Sequence, residues 1–74
     1  MSRAKIIKIL DHKGIPEHID SWMQDVEVDV DSIEVGESTV IGIILTSPVV
    51  KVIQSEENVY IVTEDCNYYL KKFI

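Results

Sequence analysis

Between Thr39 and Leu70 the chain reads TVIGIIL, TSP, VVKVIQ, SEEN, VYIVTE, DCN, YYL: four apolar runs parted by short turn segments. Val, Ile, Thr and Tyr dominate the runs, and β-branched and aromatic side chains fit a pleated, half-buried surface. Ser47-Pro48, Ser55 to Asn58 and Asp65 to Asn67 supply turn chemistry at the spacing of an antiparallel meander. That rhythm limits the chain to a mainly β fold.

Upstream the signals are more mixed. Residues 4–10 (AKIIKIL) read as a first strand, with Ile7 and Ile9 on one face and Ile6, Lys8 and Leu10 on the other. The pattern leaves open which face is buried. Asp11-His12-Lys13-Gly14 is a turn. Ile15, Ile19, Trp22 and Met23 then fall in one helical stripe, with Pro16 at a tolerated first position and Glu17 and Asp20 in the first turn. A short helix or single 3₁₀ turn near residues 16–24 is expected, with a long loop as the rival. Asp25 to Asp31 (DVEVDVD) alternates strictly, placing Val26, Val28 and Val30 on a dry face and Asp25, Glu27, Asp29 and Asp31 on a wet one. Gly42 interrupts the run from Thr39 to Leu45, which marks a bulge, a barrel corner or a close backbone approach. The corner is the preferred reading.

The 74 residues form one small domain, 1–74. A chain this short buries only about 60% of its unfolded surface, and the lone Cys66 cannot close an internal disulfide. Five to six short strands with tight turns predict a small antiparallel barrel of Src-homology-like architecture, since closure removes exposed edges. That comparison rests on strand count and length; no residue motif identifies a family. The N-terminal apolar patch is short and broken by Lys8, so no leader is expected. No apolar run approaches the ~20 residues that span a bilayer. A cytoplasmic protein without membrane or cofactor partners is the expectation.

The net charge is −6, but it is unevenly placed. Arg3, Lys5 and Lys8 begin the chain without an acid, residues 14–38 carry eight acids and no base, and Lys71 and Lys72 lie near the end. The acidic middle disfavours direct nucleic-acid binding, which needs a basic footprint. Asp29 to Glu34 resembles a calcium loop only briefly, because the glycine is displaced and the valines demand extended chain. His12 and His18 with one cysteine complete no zinc set. Cys66, flanked by Glu64 and Asp65, is a poor nucleophile.

With no catalytic set in view, the expected function is a non-enzymatic protein-interaction module or a small structural or regulatory protein. Its candidate surface comprises Asp25, Glu27, Asp29 and Asp31 with Trp22, Tyr60 and Tyr69, suited to a partner with a basic surface. Self-association through the opposed charges is a further expectation. The first alternative is an acidic nucleic-acid mimic that inhibits a DNA- or RNA-handling protein. The second is weak RNA binding through Lys5, Lys8, Lys71 and Lys72, which requires the first and last strands to pair and pool their charge.

Overall fold

The computed structural model describes residues 2–73. Seven strands make a single antiparallel sheet: β1 (Ser2–Asp11), β2 (Val26–Val28), β3 (Val40–Ile41), β4 (Ile44–Leu45), β5 (Val49–Gln54), β6 (Asn58–Thr63) and β7 (Cys66–Lys72). Their order across the sheet is β4-β3-β2-β1-β7-β6-β5, so the first and last strands are neighbours at its middle. No helix among the described residues is long and apolar enough to cross a membrane.

One face of the curved sheet is dry. Ala4, Ile6, Ile9, Val26, Val28, Ile41, Val49, Val59, Ile61, Tyr68 and Leu70 bury there, joined by Met23 from the β1–β2 connection. The ambiguity in β1 is resolved by a bulge: Ile6 faces Leu70 and Lys8 faces Tyr69, so Ile7 is the added residue. One extra residue shifts the period-2 alternation. Ala4, Ile6 and Ile9 therefore all point inward, and Ile7 and Lys8 are exposed. A second shift, between Val49 and Lys51, likewise lets Val49 and Val52 both reach the core side while Val50 stays exposed.

The expected barrel is corrected to an unclosed sheet. Among the described residues no ladder joins β4 to β5. The Thr46-Ser47-Pro48 corner between them occupies its polar groups otherwise. Thr46 N–H donates to Thr39 O at 2.8 Å, Ser47 Oγ donates to Thr63 Oγ1 at 2.9 Å, and Asp65 N–H donates to Ser47 Oγ at 3.0 Å. The start of β5 is capped by a loop, through Val49 N–H to Glu37 O at 2.9 Å and Gly36 N–H to Val49 O at 2.7 Å.

Two local expectations also change, and a third is met in its 3₁₀ form. The run Thr39 to Leu45 is a hairpin, because Ile41 pairs with Ile44 and Gly42-Ile43 form its two-residue turn. Gly42 has φ +61° and Ile43 a negative φ, the pattern of a type II′ turn. Gly42 is therefore a hairpin turn that also permits close approach, since a Cβ there would lie 3.0 Å from Val26 Cγ1. This hairpin raises the strand count above five or six. Next, helical structure within residues 15–24 is limited to a 3₁₀ turn at Ser21–Gln24. Upstream of it, Asp11 N–H bonds Ile15 O and Glu17 N–H bonds Ile9 O, which lays the Pro16 segment along the end of β1. A residue before proline avoids the α region in any case. Last, the strand at Asp25 to Asp31 shortens to Val26–Val28, because β3 offers Val28 a single partner, Ile41. The chain then closes a 3₁₀ turn at Val30–Ser32, with Ser32 Oγ donating to Asp29 Oδ2 at 2.7 Å.

Candidate functional site

The acids of β2 and the tyrosines lie on the same outer side of the sheet but are parted by β1. Asp25 and Glu27 turn toward β1, where Arg3 Nε donates to Asp25 Oδ1 at 2.8 Å and Arg3 Nη1 to Glu27 Oε1 at 3.0 Å. These pairs are more than half exposed, so they add little to stability. Their importance lies in charge: two of the four expected carboxylates share one cation, which leaves the cluster one negative charge. Asp29 and Asp31 stay exposed at the second 3₁₀ turn. Trp22 is half-buried and packs against the core, its Cζ3 3.3 Å from the place a Gly42 Cβ would take. It is a packing residue.

Tyr60 and Tyr69 are brought together, on the outer face of the long-stranded part of the sheet. Ile61 and Thr63 point inward from β6, so Tyr60 and Val62 point outward. Tyr68 and Leu70 point inward from β7, so Tyr69 and Lys71 point outward. The register then lines up Ile53, Tyr60, Tyr69 and Lys8 in one row across β5, β6, β7 and β1. The two rings stack with centroids 4.4 Å apart and planes 12° apart. Lys8 Nζ sits 4.9 Å from the Tyr69 centroid, at cation–π distance. Hydrogen bonding with Tyr69, then burial, pushes the Tyr60 phenol up, so it is a protonated O–H donor at neutral pH.

Further cations share this face. Lys5 is directly opposite Lys71 in the β1–β7 ladder, and Lys51 projects from β5 opposite Val62. Like charges set directly across a ladder repel. Among the described residues neither Lys5 nor Lys71 has a carboxylate within ion-pair distance. Strands β1, β5, β6 and β7 hold every base of the chain except Lys13, and their only acid is Asp11. Lys72 turns away, its Nζ donating to Gln54 Oε1 and Ser55 O, both at 2.9 Å.

Lys51 was not among the expected site residues. Its only sequence signal is its place in an apolar run, and the β5 bulge that sets its direction has no residue signature. Cys66 is half-buried; burial first, then Glu17, Asp65 and Asp11, pushes its thiol up and keeps it protonated at neutral pH. At the far end of the sheet, Glu27, Asp29, Val40 and Gly42 line a shallow open cleft beside the exposed Ile43 and Leu45. No protein-family model, no curated protein and no solved structure matches the chain.

Proposed function

We propose that this protein is a non-enzymatic binding module whose basic, tyrosine-bearing sheet face takes a nucleic-acid strand. The observation that carries this reading is the Lys5–Lys71 juxtaposition: two ammonium groups held opposite each other by the central ladder, with no carboxylate among the described residues at ion-pair distance. An anionic polymer relieves that repulsion.

The net charge of −6 weighs against this less than it suggests. The molecule measures 30 × 26 × 21 Å, while the screening length at physiological ionic strength is about 8 Å. A ligand on the β1–β7 lysines is thus shielded from the hairpin end; nearer to it, Asp25 and Glu27 share Arg3 beside β1, and this local balance decides. The test is fluorescence anisotropy with a labelled single-stranded oligonucleotide at about 50 mM salt, in the range where non-specific contacts are measurable. Reversing the pair (Lys5→Glu with Lys71→Glu) is expected to weaken binding at least ~10-fold, and Asp29→Asn with Asp31→Asn to leave it within ~2-fold. Wild-type protein that binds no oligonucleotide, or a reversed pair that binds as well, would refute the reading.

A second reading retains a protein partner. It is favoured by the cleft of Glu27, Asp29, Val40 and Gly42, which adjoins Ile43 and Leu45, 81% and 73% exposed. Acid beside bare apolar surface suits a segment bearing both basic and apolar side chains. In that case Ile43→Ser with Leu45→Ser abolishes partner capture while oligonucleotide binding is unchanged; capture that survives the double change rules it out.

A further inference from the structure

The tyrosine row deepens the nucleic-acid reading, on which this inference rests, by indicating what part of the strand is held. A base stacks on an aromatic side chain only where a ring face is open. Here three of the four ring faces are taken, and the fourth lies on the side of Ile53. Tyr60 and Tyr69 cover each other at 4.4 Å and 12°. β1 lies on the opposite side of β7 from β6, and from there Lys8 Nζ sits over the Tyr69 ring at 4.9 Å. Beyond Tyr60 on β5 stands its register partner Ile53, on the same face of the sheet. The rings therefore stand like plates between neighbours and present their rims to solvent. A phenol rim offers an O–H, and the surrounding lysines offer N–H groups. Both are donors suited to phosphate oxygens.

The borders of the face give a direction. Glu56 and Glu57 occupy the β5–β6 turn, and Glu64 and Asp65 occupy the β6–β7 turn. A polyanion running along the strands would meet carboxylates at either end. One crossing the strands, from Lys51 past the tyrosine rims to Lys8, meets donors throughout.

We infer that the outer face of β5, β6, β7 and β1 grips the phosphodiester backbone of a single strand laid across these strands, leaving the bases unread. With three or four lysines at phosphates, log affinity falls with log salt at a slope of about −2 to −3. The deciding experiment compares oligo-dT, oligo-dA and an abasic phosphodiester of equal length, by anisotropy on the full chain. The expected result is three affinities within ~3-fold of one another, and a Tyr60→Phe with Tyr69→Phe variant, which keeps the rings and loses the hydroxyls, weaker for all three. If either base-bearing oligomer binds ~10-fold or more tightly than the abasic one, or the Phe variant binds as wild type does, backbone recognition is overturned. That result would leave the basic face as the site, because the effect of reversing Lys5 and Lys71 would persist. If all three oligomers fail to bind, both readings fall together.

Discussion

The two ends of this sheet handle charge in opposite ways. In the half built from β1, β7, β6 and β5, long ladders hold Lys5 against Lys71 and set Lys8 and Lys51 on the same outer face, with no carboxylate among the described residues at ion-pair distance. In the half built from β2, β3, β4 and the 3₁₀ turns, acids are abundant but lie mostly outside ladders, and the two nearest β1 share the single cation Arg3. Ladder positions fix a charge relative to its neighbours, and positions in turns do so far less. A fixed, unneutralised pattern can present complementary chemistry to a ligand, whereas carboxylates spread over turns chiefly keep a surface hydrated. The total charge of the chain is set by the second half, and the candidate site by the first.

The sharpest way to break the comparison is through the packing that underlies it. Ile61 is fully buried in the long-stranded half, and Ile61→Ala is expected to cost about 2–5 kcal/mol in urea unfolding. In the short-stranded half the sensitive position is Gly42, where positive φ and the 3.0 Å approach to Val26 oppose any side chain. Gly42→Val is expected to cost about 1–3 kcal/mol. If Ile61→Ala were the milder change, the long ladders would not be the stable half.

Alkaline titration probes the same core from β7. Burial, followed by Cys66 and nearby carboxylates, pushes the Tyr68 phenol up to about 12. A raised folded-state value means that the native state keeps its proton while the unfolded chain loses it. Stability from this group is full below about pH 10, the ordinary phenol value, and is lost as pH rises through about 12. Circular dichroism against pH should show the loss, and Tyr68→Phe should remove this component of the pH dependence.

Smaller effects distinguish the surfaces. Lys71→Glu converts a like-charge cross-strand pair into an opposite-charge one, with a gain of about 0.2–1 kcal/mol. The same change should weaken oligonucleotide binding, and that opposition of signs is what a site retained at a cost in stability looks like. A variant both less stable and weaker in binding would mean that Lys71 is structural. The smallest stability effect is expected for Arg3→Ala by thermal unfolding, because both of its ion pairs are exposed.

Much of the strand content could be read from the residues. The VVKVIQ, VYIVTE and YYL runs became β5, β6 and β7. The wet and dry faces of Val26 to Glu27 to Val28 were equally legible. What could not be read depends on partners. Thr39 to Leu45 looks like one strand until the close packing of Gly42 on Val26 makes it a hairpin, and Ile15 to Met23 looks helical until Glu17 is bonded to Ile9. The site suffered most. Acid-rich sequence drew attention to Asp25 to Asp31, while the basic face exists only because β1 and β7, from opposite ends of the chain, lie side by side.

The bulge at Ile7 is also a change of parity. Lys5 and Lys8 are three residues apart, an odd spacing that an unbroken strand would assign to opposite sides of the sheet. The added residue makes the odd spacing behave as an even one, so that Ile6 and Ile9 both enter the core and both lysines emerge on the outer side. Side chains in β1 can therefore vary within the limits of size and charge, but its length cannot. Losing one residue there would drive either a lysine inward or an isoleucine out, so the descendants of this sequence should accept insertions and deletions in the turns and almost none in the first strand.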